Sequence, residues 1–346
     1  MSVSIADARG PRLPEGLAPD ARALARTVVD AAGEHLTGIL IYGSQLLRAE
    51  PNRHSAWDMV FVVDRYGPFH RALVDAGLHR GPAWILDVMA RVLPPWATMV
   101  SARDADAIGK CMVVSKSHFR RALLPRSPDH FLKGRMVQRV ALVWVKDEAA
   151  AELIEEWLRT ARSNVLAWAG PWLDEPFDAV SLSRRMLEVS YGGELRPENT
   201  SRAGEIHDVQ ADWLEAAYAE VLTEAASEGV LIRDGAHGYR FGRPPGAIAR
   251  FRTRIYFALS KARATLRWFK YVVTFDGWLP YLVRKVERRT GETVELTPRE
   301  QSLPLIFLWP RVFRFFLDPA RRISSDNVSE APSDASPDTP SDTRAS

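Results

Sequence analysis

At 346 residues, with 46% hydrophobic and 26% charged content, the chain is long enough to bury a large core with a second, smaller domain, and too apolar to be disordered as a whole. Its one cysteine, Cys111, excludes an internal disulfide framework and a cysteine-rich zinc site and fits a reducing cytoplasmic compartment. The net charge of +3 hides an asymmetry: positions 250–322 hold sixteen basic and six acidic residues, so positive charge collects where the aromatics are.

The first twenty positions have neither the apolar core of a signal peptide nor an Arg-rich amphipathic helix, and read as a floppy lead-in. A helix is predicted over 21–32, then a strand at Leu36–Tyr42 (LTGILIY) that ends in the turn signal Gly43-Ser44, and a second strand over 56–64 (AWDMVFVVD). Helices follow over 69–76 and 84–92, short strands over 98–102 and 110–115, and a helix from near Ser117. The stretch 129–168 reads as helical, with Phe131, Met136, Val140, Leu142, Leu153 and Trp157 at spacings that line a face, until Pro171 and Pro176 interrupt it. Two more helices, 179–189 and 203–225, flank the loop SYGGELRPENTS, and 230–241 has the pattern of a hairpin around Gly235. From Ser324 onward the chain is rich in Ser, Pro, Asp and Thr, and is expected to stay disordered because it cannot repay its ordering entropy.

The first strand–strand connection and the strand after it hold the candidate chemistry. In a polymerase-β-type nucleotidyltransferase, Gly-Ser follows the first strand and opens a helix, so that backbone N–H groups and the hydroxyl grip a triphosphate. Tyr42-Gly43-Ser44 stands in that context. The next strand of such a fold supplies carboxylates to divalent metals, and Asp58 is the matching residue. An aspartate among apolar strand residues is either an end-of-strand cap or a charge placed at a ligand site, since an unpaired buried carboxylate is costly. The usual Asp-x-Asp pair is absent, because the neighbours two positions away are Ala56 and Val60. Asp64 is the next carboxylate, readable as a second metal ligand or as a turn residue.

With these residues in hand, the chain resembles the translocator assembly and maintenance family, the mitochondrial-type CDP-diacylglycerol synthases. The resemblance runs in family order over about residues 36–220. It rests on Tyr42-Gly43-Ser44, on the strand from Trp57-Asp58, on Phe69-His70 in place of a Trp-His, on Lys110 before an apolar strand, and on Gly134-Arg135. Its most specific part is Ser190-Tyr191-Gly192-Gly193-Glu194-Leu195-Arg196, followed by Gln210 and Ala217-Tyr218. The chain departs from the family at Gln138-Arg139, which replaces a Lys-Pro, at Leu73, which replaces an Asn, and at Glu194, which replaces an Asp; Lys133 and Arg139 are the cations available to substitute for the missing Lys.

The resemblance implies transfer of CMP from CTP to phosphatidic acid with Mg²⁺, releasing pyrophosphate. On that view Tyr42, Gly43 and Ser44 hold the nucleotide, Asp58 and Asp64 hold metal, Lys110, Arg135 and Arg196 neutralise phosphates, and Tyr191, Glu194 and Gln210 line the pocket. Read singly, Lys110 and Arg135 fit surface or structural ion pairs equally well, and His70 fits packing or capping better than catalysis.

The fold expectation is α+β: a polymerase-β-type nucleotidyltransferase domain with a mixed sheet over 21–178, a helical winged-helix-like module over 179–249, a basic amphipathic region over 250–322, and a disordered tail over 323–346. The apolar run 303–317 is shorter than the roughly 18 to 20 residues of a membrane span and contains Pro310, Arg311 and Arg314. Interleaved aromatics and cations instead fit an element lying on an anionic membrane surface, or a helical subdomain that turns its aromatics inward. No nucleic-acid partner is expected, as zinc-finger spacing and RNP-like strands are lacking. The expected location is cytoplasmic, at the inner face of a membrane. Two other classes stand beside this reading: a soluble nucleotidyltransferase acting on a protein, RNA or small molecule, and a non-catalytic descendant of the fold.

Overall fold

The computed structural model of the chain describes residues 18–47, 55–79, 81–105, 107–193, 200–235, 238–274 and 297. Its architecture is α+β on a mixed five-stranded sheet. Helix α1 (Pro19–Ala32) leads into β1 (Leu36–Tyr42), a single short turn of helix α2 (Ser44–Leu47) and β2 (Trp57–Val63). Helices α3 (Tyr66–Asp75) and α4 (Ala83–Arg91) precede β3 (Trp96–Ser101) and β4 (Ile108–Ser115), and α5 (Lys116–Leu123) and α6 (Lys133–Met136) precede β5 (Ala141–Val145). The spatial order is β3-β4-β2-β1-β5, with β2 and β4 parallel and the other neighbours antiparallel. Because β1 lies between β2 and β5 and is buried along its whole length, its sequence is a continuous apolar run instead of an alternation.

After the sheet come α7 (Glu148–Ser163), α8 (Val165–Trp168), α9 (Ala179–Gly193), α10 (Thr200–Val209) and α11 (Ala211–Ser227), then the hairpin β6 (Leu231–Asp234) and β7 (Gly238–Phe241), then α12 (Ala247–Thr274). The Asp147 carboxylate starts α7 by accepting the Ala150 N–H at 2.8 Å. One face of the sheet, with Ile39, Ile41, Met59 and Phe61, packs under α1 and α3. The other face, with Leu40, Val60, Val62 and Met112, continues through Met136, Trp157, Leu182, Tyr218 and Phe257. That second core is unbroken from the sheet to α12, so the segments 21–178 and 179–249 and the start of α12 share one interior.

Four features differ from the sequence expectation. Within 129–168 the residues Ala141–Val145 form β5, whose five buried side chains cannot be told from a buried helical turn by periodicity. The 203–225 helix is broken at Gln210 into α10 and α11. Residues 190–193 of the expected loop extend α9, while 194–199 lie outside the described residues. The basic aromatic region opens with α12, which docks on the core instead of standing apart: Phe257 and Ser260 are buried, and so are the cations Arg267 and Lys270. Arg267 Nη2 meets Asp129 Oδ2 at 2.7 Å, and Lys270 Nζ donates to the carbonyls of Val92 at 2.8 Å and Leu93 at 2.9 Å. Burial, with Arg267 nearby, pushes the Lys270 amine down to about 7. Apart from Thr297, the rest of 275–322 and the 323–346 tail lie outside the described residues. Among the described residues no helix is long and apolar enough to cross a membrane.

Candidate functional site

Strand register assembles the first group of residues. Tyr42 at the end of β1 pairs with Asp58 near the start of β2, and Asp58 pairs with Lys110 on β4. Directly paired residues project to the same side, so the three side chains share the face that carries Leu40, Val60 and Met112 deeper in the sheet. Tyr42 is buried, Asp58 half-buried, and Lys110 and Ser44 exposed, which makes this end of the face a polar, accessible edge above an apolar floor.

Gly43 turns the chain directly over the carboxylate. Its φ is +83°, and a Cβ there would stand 2.8 Å from Asp58 Oδ2. Both the left-handed backbone and the close approach require glycine. Leu46 N–H closes the turn on Gly43 O at 3.1 Å, and the buried Gln45 amide donates to Ser55 O at 2.9 Å, fixing the start of the loop to its end. Cys111, next to Lys110, points to the opposite core; burial, aided by the Asp58 charge, pushes its thiol well above the ordinary range, so it is no nucleophile.

A second group reaches the same sheet end through β5. Ala141 pairs with Ile41, so the segment 134–140 enters beside the Tyr42–Gly43 end of β1. Gln210, 2% exposed, accepts the Arg139 N–H on Oε1 at 3.1 Å and donates to Ile206 O at 3.1 Å. It therefore sets the backbone that carries Arg139, which is half-buried. Arg135 is buried with its guanidinium 4.1 Å from the Phe131 ring centroid and an Nη1–H donated to Phe131 O. Lys133 donates to Leu124 O at 2.7 Å, and burial pushes its amine down to about 8.

The Ser190-Tyr191 motif meets Gly134 through His130, a residue that sequence reading did not single out. His130 Nε2 lies 2.7 Å from Ser190 Oγ, and its ring packs against Trp168 and Phe257 with centroids 4.6 and 4.8 Å apart. A Cβ on Gly134 would stand 2.9 Å from His130 Cδ2. Burial, reinforced by Lys133 and Arg135, pushes the His130 imidazole down to about 3, so it stays neutral. Tyr191 is half-buried and packs against the same core. No local sequence signal marks His130; its partners come from α8, α9 and α12.

Asp64 is at the other end of β2 from Asp58, roughly 20 Å away at strand rise, so the two carboxylates share no ion. It accepts from Thr37 Oγ1 at 2.8 Å and pairs with Lys146 Nζ at 3.0 Å. Partial burial raises its pKa, but these bonds outweigh it and hold the carboxyl below the usual range. His70 is enclosed in the core on the opposite sheet face, beside Tyr66 and Phe69. Glu194 and Arg196 lie outside the described residues. A cleft of about 410 Å³ between α7, α11 and the start of α12, floored by Leu166, Val221 and Phe241, includes none of these positions.

Among the described residues no group of three or more His, Cys, Asp or Glu forms a ready-made metal cage. Asp58 supplies a single carboxylate, which fits an ion such as Mg²⁺ that takes its other oxygens from a triphosphate and water. Comparison with protein-family models and with curated proteins returned no match.

Proposed function

We propose that the chain is a metal-dependent nucleotidyltransferase of the polymerase-β type that transfers CMP from CTP to phosphatidic acid at a membrane surface, with α9–α11 and the β6–β7 hairpin as a winged-helix-like module. The observation that carries the reading is the stacking of Gly43 over Asp58, with Lys110 beside it on β4. A phosphate-binding turn, a carboxylate and a cation converge there on an exposed edge, as transfer between two polyanions requires. In the reaction a phosphate oxygen of phosphatidic acid attacks the α-phosphorus of CTP, and the bond from that phosphorus to the α,β-bridging oxygen breaks to release pyrophosphate.

No covalent nucleophile is needed, so positioning and charge compensation carry the catalysis. Backbone N–H groups at Gly43-Ser44 and the Ser44 hydroxyl hold the triphosphate, and Lys110 offsets its charge. Arg139, set by Gln210 at the same sheet end, stands in for the cation lost where Gln138-Arg139 replaces Lys-Pro. Mg²⁺ held by Asp58 and the triphosphate would neutralise charge on the leaving pyrophosphate.

A second reading, a nucleotide-binding protein without turnover, is favoured by the missing second aspartate of the usual Asp-x-Asp pair, since Ala56 and Val60 stand two positions either side of Asp58. Labelled CTP incubated with phosphatidic acid vesicles and Mg²⁺ decides between them. Formation of CDP-diacylglycerol by the chain, lost in Asp58→Asn while that variant stays folded, supports the transferase. CTP binding without product supports the second reading, and no binding at all removes both.

A further inference from the structure

The cleft of about 410 Å³ between the end of α7, α8, α11 and the start of α12 has the size of a small-molecule site. Its floor is apolar and preformed. Leu166, Val221, Ala225 and Phe241 are buried, and Phe241 is seated against Gly170, where a Cβ would stand 2.6 Å from its Cζ, and against the Phe177 ring at 5.3 Å. The Phe241 N–H is donated to Glu175 Oε1 at 2.9 Å, which fixes the ring from the backbone side. The polar lining carries one sign of charge: among the described residues it is made by Ser163, Asn164, Glu224 and Glu228, without Lys, Arg or His. Arg250, on the adjoining first turn of α12, is turned to Pro171 O at 3.0 Å.

Glu224 and Glu228 are exposed and stand one turn apart, in the last turn of α11 and at the residue that ends it. That turn holds no basic residue, and among the described residues neither carboxylate has an ion-pair partner; Glu224 accepts the Ser163 hydroxyl at 3.5 Å. Both placements run against helix electrostatics. Like charges at i,i+4 repel, and carboxylates at a helix C-terminus add to the negative end of its dipole. A cation bound at the mouth of the cleft would relieve both.

We propose that this cleft binds a small organic cation, an ammonium group carried on an alkyl or aryl body, with the body on the floor of Leu166 and Phe241 and the ammonium between Glu224 and Glu228. A bare metal ion is not what the site selects, because two exposed carboxylates over an apolar floor offer too few oxygens. A phosphate-bearing ligand would be repelled by the same two carboxylates. The cleft is therefore separate from the Gly43 and Asp58 edge, and the inference does not rest on the transferase reading.

The full chain is titrated calorimetrically at pH 7 and low salt with octylamine and with octanoate, equal chains of opposite charge, both kept below their micelle concentrations and without CTP or lipid. Octylamine should bind about tenfold more tightly than octanoate, the scale of gaining rather than opposing two exposed charges. Glu224→Gln/Glu228→Gln should weaken the amine until the two ligands bind within about twofold of each other. Ala167→Phe changes an exposed residue of the lining, so it should fill the cleft without disturbing the core and weaken octylamine by about tenfold. Circular dichroism and urea midpoints establish that both variants fold. Because the ligand would touch α7 and α11 together, octylamine should also raise the Tm of the wild type and leave that of Ala167→Phe unchanged. Absence of octylamine binding, octanoate bound as tightly, or wild-type affinity in either variant overturns the inference. So does a leucine–lysine peptide that binds where octylamine does not, since the cleft then serves a protein partner.

Discussion

A side chain at position 43 would collide with Asp58: the Cβ site of Gly43 stands 2.8 Å from Asp58 Oδ2, on a backbone with φ of +83°. Gly43→Ala should therefore do two separable things. The left-handed backbone should cost about 1–2 kcal/mol of stability, and displacement of the carboxylate should lower CMP transfer about a hundredfold, the scale of an ångström-sized misplacement. Gly77→Ala is the matched control, with φ of +71° and, among the described residues, nothing within 4 Å of its Cβ site. It should show the same loss in urea denaturation and keep full turnover. Equal activity in both alanine variants would remove Gly43 from the site.

Burial of charge on α12 makes the second prediction asymmetric. Asp129 accepts from Arg267, 1% exposed, at 2.7 Å and from Arg263 Nε at 3.2 Å. Asp129→Asn strands the buried guanidinium without a counter-charge and should cost about 3–5 kcal/mol. Arg267→Met leaves Asp129 its partner Arg263 and gives up bonds to Leu93 O and Pro94 O, so it should cost less, about 1–3 kcal/mol. Chemical denaturation followed by circular dichroism ranks the two, and a larger loss for Arg267→Met contradicts the account.

How much of this was legible in the sequence follows from what each signal physically encodes. The runs LTGILIY and WDMVFVV announced β1 and β2, and the turn between them put Gly43 near Asp58, because a strand buried on both faces has no other pattern. The strand β5 was hidden: five buried residues fit either period, and only its pairing with β1 decides. Likewise, the spacing of apolar residues in α12 marked an amphipathic helix without saying which side faces in. Asp129, far from α12 in sequence, draws Arg267 to the buried face beside Phe257 and Ser260. Asp64 looked like a metal partner by proximity in sequence, yet six residues of strand carry it to the far end of β2.

Stability should fall in acid through His70. Among the described residues its two ring nitrogens have no hydrogen-bond partner, and burial, with His79 adding to it and Asp87 opposing, pushes the imidazole down to about 4. The neutral ring favours the fold, so this contribution is complete above the unfolded value of about 6.5 and is lost as pH falls towards 4, on the order of 3 kcal/mol in all. His130, depressed to about 3, acts in the same direction. His70→Phe should keep or raise stability at pH 7, since no polar atom is left unpaired, and should flatten the acid limb. Urea midpoints at pH 7 and 4.5 test it; an unchanged difference between them in His70→Phe assigns the acid sensitivity elsewhere.

Gly134 should be coupled energetically to His130. A methyl at Gly134 would stand 2.9 Å from His130 Cδ2, 3.0 Å from Nε2 and 3.5 Å from Ser190 Oγ. The imidazole has no room to yield, held as it is by Ser190 at 2.7 Å and by the rings of Trp168 and Phe257. Gly134→Ala must then shift α6 itself, at a cost of about 1–3 kcal/mol for overpacking. Because the same backbone runs on to Arg139 and into β5, the shift should also reach the Gly43 end of the sheet and lower CMP transfer. A double-mutant cycle isolates the contact. His130→Ala alone opens a cavity, and in that background Gly134→Ala should be nearly free, giving a coupling of at least about 1 kcal/mol in the direction of rescue. Additive losses across the cycle would show that the alanine is resisted by something other than the His130 ring.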